Sequence, residues 1–377
     1  MRWATSILFF CVTALLALGM VMLFSASTDR PEANYLVMQP IWCSVGLVAC
    51  FLAAAGDYRW LKEYGWLPWV FFGVTLGLLV LVIVPGIGHT ANGATRWLRF
   101  GRFTLQPSEI AKIALIVMLA WYCDRYHRQM PNFIKGLLLP GLFITPVLGL
   151  VFVEPDVGTT ILLAAVSGVL LFVAGTRLRY LLPPAAVALA GLTYFILNNP
   201  VRLRRIMAFL YPEQTKEAVG YQTYQAMVAI GSGGVTGVGL GDGRQKLGVI
   251  PEHHTDFIFS LIGEELGLVA TLAVVIAFVA ILLCGVYIAF RASDTFGMLL
   301  SSGITFLMAF QAAINIGVVT GSLPNKGLSL PFISYGGSNL VVMLACVGLL
   351  INVARHVPER ERLPEAVFDP EMARQSR

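Results

Sequence analysis

Charge is scarce in this chain. Of 377 residues, 12% are Asp, Glu, Lys or Arg and 57% are hydrophobic, whereas a soluble domain carries roughly 25% charged residues. That scarcity excludes an ordinary water-facing surface. Cysteine is confined to Cys11, Cys43, Cys50, Cys123, Cys284 and Cys346, each in or beside an apolar run and none in a CxxC pair. Buried free thiols are expected, without a disulfide or zinc framework. The pair His253-His254 has no further His or Cys nearby in sequence, so it is weak support for a metal site. The glycine run from Gly231 to Gly243 is not followed by GK[ST]. It reads better as a tightly packed or re-entrant loop than as a nucleotide phosphate loop. No internal repeat is evident, which argues against a transporter built from two matching halves.

Apolar sequence is what remains, with a mean hydropathy of +0.76. Ten spans are predicted, at about 5–25, 37–56, 66–84, 107–123, 133–153, 158–175, 180–197, 257–290, 296–320 and 332–354. Lipid satisfies no backbone group, so helices are expected, and the alternating strands of a barrel are missing. The expected fold class is all-α: a polytopic membrane protein of about ten transmembrane helices with one large extracytoplasmic loop, about 198–256. The run Thr5–Phe24 exceeds a signal-peptide core of about 7–15 residues and is read as an uncleaved first span. The eighth run is too long for one simple crossing and is expected to start above the membrane or to tilt strongly.

With the N-terminus inside, the inner loops hold Arg59 and Lys62, Arg125, Arg128 and Lys135, Arg177 and Arg179, and Arg291; the tail adds Arg355, Arg360 and Arg362. That fits the positive-inside rule and puts both termini in the cytoplasm. The exceptions are Arg96, Arg99, Arg102, Arg202, Arg204, Arg205, Lys216, Arg244, Lys246 and Lys326 on the outer side. They suit either a solvated loop surface or an external polyanion such as a phosphate.

Polar residues at membrane depth are costly and need a reason. Ser108, Glu109 and Lys112 share one helix face, as an internal ion pair or as the wall of a polar cavity. Asp156 can cap a helix, whereas Glu154 has no such easy role. Glu264 and Glu265 lie two turns beyond Asp256, and only Glu264 falls near its side. Asp256, at the mouth of the eighth run, is either a helix N-cap or a general base. Asn315 and the Pro- and Gly-rich stretch from Leu323 to Ser338 interrupt apolar sequence, as an interhelical loop or as a broken helix facing a cavity.

Several motifs recur in order: Asn92-Gly93-Ala94 with Arg96-Trp97, QPSE at 106–109, EPD-GTT at 154–160, GYQ at 220–222, QKL at 245–247, HTDFIF at 254–259, GEELG at 263–267 and LPFISYGGS at 330–338. On these motifs the chain resembles the SEDS family of bacterial peptidoglycan polymerases, from about residue 5 to 355. Glu154, Gln245-Lys246-Leu247 and Lys326 favour its cell-division branch over its elongation branch; Asn325 and Asn339 depart from the usual pattern.

The resemblance implies one transmembrane polymerase domain over 1–355 and a cytoplasmic tail over 356–377. It implies a glycosyltransferase in the bacterial cytoplasmic membrane, at the division septum, acting on lipid II, the disaccharide-pentapeptide carried on undecaprenyl pyrophosphate. Asp256 would be the catalytic base, and Arg96, Lys112, Lys246 and Lys326 the cations facing the leaving pyrophosphate. Ser108, Glu109, Glu154, Gln222, His254, Thr255, Glu264, Asn315, Ser334, Tyr335 and Ser338 are the further candidates for substrate contact. A divalent cation, Mg or Mn, could assist, though the sequence defines no site for it. The implied partners are a class B penicillin-binding protein, other divisome proteins and membrane lipids, with no nucleic acid. Two other classes stay open: a lipid II flippase, which would need functional polar residues on both sides, and a non-catalytic scaffold, for which Asp256→Asn would be harmless.

Overall fold

The computed structural model describes residues 1–27, 35–91, 94–101, 103–215, 220–244 and 255–357. Helices α1 (Arg2–Ser27), α2 (Tyr35–Ala55), the short α3 (Trp60–Glu63) and α4 (Trp66–Ile83) lead to a three-stranded antiparallel sheet, β1 (Gly88–Ala91), β2 (Ala94–Phe100) and β3 (Phe103–Leu105), in the order β1-β2-β3. Then follow α5 (Pro107–Arg125), α6 (Leu139–Val153), α7 (Val157–Val173), α8 (Leu178–Leu197), α9 (Pro200–Leu210), α10 (Tyr221–Gly233), α11 (Ile258–Arg291), α12 (Thr295–Val319) and α13 (Gly337–Arg355).

Among the described residues, eight helices are long and apolar enough to cross a membrane, α6 counted together with the π-helical turn Ile134–Leu138 that leads into it. Two more occupy predicted spans. At 17 residues α7 is shorter, and α5 carries Glu109, Lys112, Asp124 and Arg125. The chain is a multi-pass membrane protein of the expected all-α class. Because these helices alternate in direction, the described residues of 84–106, 154–156, 198–257 and 320–336 gather at one end of the bundle.

Three features depart from the sequence expectation. The small sheet was not predicted; its β-branched and aromatic residues Thr95, Trp97 and Thr104 suit strands, and Leu98 is buried beneath it. Helix α11 has 34 residues, about 50 Å at 1.5 Å per residue. It exceeds a bilayer core of ~30 Å, as the long eighth run led one to expect, and it is broken at Gly267 (φ 75°, ψ −168°), a feature the sequence did not announce. Finally, α13 starts at Gly337, so residues 332–336 belong to an irregular segment.

The core centres on α5, whose residues from Ala111 to Ala120 are all buried, packed among α4, α7 and α12. Helices α2 and α13 meet closely enough that a Cβ on Gly348 would strike the Cys50 carbonyl. At the other end of the bundle, Lys62 bridges Asp124 (3.1 Å) and Asp294 (3.3 Å), and Tyr58 Oη donates to Asp294 (2.6 Å).

Candidate active site

Pro107 occupies the first turn of α5, and one turn on, Lys112 is wholly buried. Its ammonium donates to both oxygens of Glu109 (2.7 and 2.8 Å) and to Oε1 of Gln311 on α12 (2.9 Å). The ammonium has three protons, and all are used inside the protein. Gln311 Nε2 continues to the Ser329 carbonyl (2.9 Å) and to Asn339 Oδ1 (3.3 Å), and Asn339 donates to the Ser329 hydroxyl. Ser108 accepts from Gln106 Nε2 (3.0 Å). This chain of bonds joins α5, α12, α13 and the 320–336 segment.

Arg96 projects from β2 onto the turn between α6 and α7. Its Nε donates to the Glu154 carbonyl (3.0 Å), its Nη2 to the Pro155 carbonyl (2.6 Å), and its Nη1 lies 3.9 Å from Asp156. Asp156 caps α7, accepting from the Thr159 amide (3.1 Å) and hydroxyl (2.9 Å). The Glu154 carboxyl is buried with no hydrogen-bond partner for either oxygen. Burial, then the nearby Asp156, pushes it up to about 8, against the pull of Arg96.

Beside this turn lies an open cavity of about 290 Å³. Among the described residues, Arg96, Arg202, Arg205 and Lys326 line it, with Asp156 the one lining carboxylate. Arg202 and Arg205 come from α9, whose start is fixed by Pro200 and by Asn199 Oδ1 accepting from the Val201 and Arg202 amides. Burial, followed by repulsion from Arg205 and Arg202, holds the Lys326 ammonium below the usual lysine range. Four cations against one carboxylate make this a site for an anion.

Asp256 stands one residue before Phe257, the N-cap of α11, so the capping role does not fall to it. Its main-chain carbonyl accepts from Asn315 Nδ2 (2.8 Å), and the same amide group donates to the Leu328 carbonyl (2.6 Å). Asn315 thereby fastens the Asp256 turn to the 320–336 segment. A Cβ placed on Gly327 would lie 2.7 Å from Asp256 Oδ2. Gly327 lines the cavity, so the carboxylate lies beside a cavity-lining residue without itself lining the cavity.

The remaining candidates sit elsewhere. Glu264 accepts from the Arg244 amide (2.8 Å) and Glu265 from Ser25 and the Gly241 amide. Ser334 accepts from the Leu330 amide (2.8 Å), and Ser338 accepts from the Gln106 amide (3.0 Å) while donating to the Thr104 carbonyl (3.2 Å). Gln222, Thr255 and Tyr335 are half-buried and do not line the cavity. Lys246 and His254 lie outside the described residues. Among the described residues no group of His, Cys, Asp or Glu could hold a metal ion. Arg202 and Arg205 were missed as site residues, although the basic run on the outer side was their signal.

A family model described as cell cycle protein, covering FtsW, RodA and SpoVE, matches residues 5–359. The chain belongs to the FtsW/RodA/SpoVE family. Family relatives include a probable peptidoglycan glycosyltransferase FtsW from Trichlorobacter lovleyi, 42% identical over 92% of each chain. Another is stage V sporulation protein E from Bacillus subtilis, 36% identical over 91% of this chain and 94% of its own. Among solved structures, the fold is similar to a chain of a peptidoglycan synthase complex that coordinates polymerization and crosslinking, with TM-score 0.77 and 30% identity over 92% of this chain and 96% of that one. It is also similar to the rod shape determining protein RodA of Thermus thermophilus, with TM-score 0.69 and 30% identity over 93% and 97%.

Proposed function

We infer that this chain is a peptidoglycan glycosyltransferase of the cell-division type, polymerising lipid II into β-1,4 glycan strands. The observation that carries the reading is the seating of Asp256 against Gly327, which lines a cavity together with Arg96, Arg202, Arg205 and Lys326. In this reading the GlcNAc 4-hydroxyl of one lipid II attacks the anomeric carbon of the growing strand. Asp256 takes the hydroxyl proton, the bond to undecaprenyl pyrophosphate breaks, and the α-linked donor becomes a β-1,4 glycan. The pyrophosphate leaves with concentrated negative charge, which the cavity's cations suit.

Lys112 is assigned to the internal network, where its three donors already have acceptors, and not to the substrate. Lys246 and His254 stay in the proposal on their motif positions. The cavity offers a divalent cation little beyond Asp156, which is engaged with Thr159; Mg or Mn bound there would be held chiefly by the substrate's phosphates. A class B penicillin-binding protein as partner, a septal location and cytoplasmic termini complete the reading, supported by the basic inner loops and by the relatives. The flippase alternative fares worse because the cationic wall and Asp256 lie together at one end of the bundle.

The deciding experiment compares lipid II polymerisation by wild type and Asp256→Asn, each purified with the class B partner. Strands from the wild type alone are expected. Equal strands from the variant would remove Asp256 from catalysis, and strands from neither folded preparation would favour a flippase or scaffold.

A further inference from the structure

We propose that Glu265 is a positioning residue for Asp256, acting through the break in α11. The inference rests on Asp256 being the base.

A break inside a membrane helix strands amides and carbonyls that must find partners. At Gly267 the glycine-rich segment after α10 supplies them. The Val238 amide donates to the Glu264 carbonyl (3.0 Å) and the Gly239 amide to the Glu265 carbonyl (3.1 Å). In return the Leu268 amide donates to the Gly234 carbonyl (3.0 Å) and the Val269 amide to the Val235 carbonyl (3.3 Å). The fit leaves no room for side chains: a Cβ on Gly237 would strike the Glu265 carbonyl, and one on Gly267 the backbone of Val235 and Gly237.

The Glu265 carboxylate locks this junction. It is buried, with 1% exposure. It accepts from Ser25 Oγ, 2.7 Å from each oxygen, at the end of α1, and from the Gly241 amide (3.0 Å). Three segments distant in sequence therefore meet on one side chain.

The topology gives that meeting its consequence. The chain still touches the junction at Gly241 and Arg244, whose amides donate to Glu265 and Glu264, and in sequence Lys246 and Asp256 both fall between Arg244 and Glu264. Between Asp256 and the break runs only the short first part of α11. Asn315 holds the Asp256 end of that piece, and Glu265 holds the other. Freeing the Glu265 end lets the piece rotate, and Asp256 moves with it.

The test is steady-state lipid II polymerisation by the full chain with its class B partner, comparing wild type, Glu265→Gln, Ser25→Ala, the double variant and Asp256→Asn. A base displaced by an ångström loses rate on the order of tenfold to a hundredfold. We expect kcat to fall by that amount in both single variants, with KM within about twofold of wild type. The double variant should fall no further than the worse single one, because one contact is removed twice. If Glu265→Gln does not fold, Ser25→Ala, which loses only a hydroxyl, decides alone. Wild-type kcat in the folded variants, or a change confined to KM, overturns the proposal while an inactive Asp256→Asn leaves the base in place. An active Asp256→Asn would overturn the base assignment itself.

Discussion

The α-carbon of Gly327 faces the Asp256 carboxylate so closely that a methyl group there would stand 2.7 Å from Oδ2. Glycine at 327 is thus a condition for the carboxylate's place beside the cavity-lining segment. In Gly327→Ala the obstructing atom is a side-chain oxygen and not backbone. The fold should survive, with an unchanged melting temperature, while polymerisation drops on the order of tenfold or more. Wild-type activity in a folded Gly327→Ala would separate Asp256 from the chemistry.

Lys326 and Arg205 should matter for the substrate's charge. Alanine at either position is expected to raise the lipid II KM and to weaken its salt dependence, because fewer charges face the anion. The depressed Lys326 ammonium loses its proton at lower pH than an ordinary lysine. Activity should therefore fall early on the alkaline side, and Lys326→Arg, always charged, should move that limb upward. A pH profile identical in the two proteins would count against Lys326.

Lys112 and Glu109 form a buried pair, and breaking one partner strands the other charge. Lys112→Met should destabilise the protein by about 3–5 kcal/mol. Lys112→Met combined with Glu109→Gln should recover much of that loss. Thermal melting in detergent measures both; a single variant as stable as wild type would contradict the internal role.

Glu154 supplies a pH-dependent stability. Its carboxyl holds a proton up to about 8 in the folded chain, against 4.5 for an ordinary glutamate. Between those values the unfolded chain releases a proton that the folded chain keeps, so stability falls as pH rises. Glu154→Gln removes the slope. The melting temperature of wild type, relative to that variant, should decline from the acidic to the alkaline end of this window; parallel curves would show that Glu154 is ionised or paired.

The glycine run illustrates how far sequence reasoning reaches. Its composition argued for tight packing and against a nucleotide loop, and the segment does pack against α11. What it packs against, the opened backbone at Gly267, left no mark that periodicity could detect, because apolar residues continue on both sides of the break. Glu264 and Glu265 are carboxylates at membrane depth that needed partners of some kind, and the backbone amides of Arg244 and Gly241 are among those they have.

The sequence by itself determined the solvent, the spans and the family. Apolar length and scarce charge decide those locally, through the cost of exposing backbone and charge to lipid. Only the tertiary structure decided which polar residues share a site. Lys112 and Lys326 are both lysines among apolar residues, but packing buries the first against Glu109 and Gln311 and leaves the second beside Arg202 and Arg205. That choice depends on contacts between segments more than a hundred residues apart, as Lys112 with Gln311 and Lys326 with Arg205 show, and the local pattern around a lysine does not record its distant neighbours.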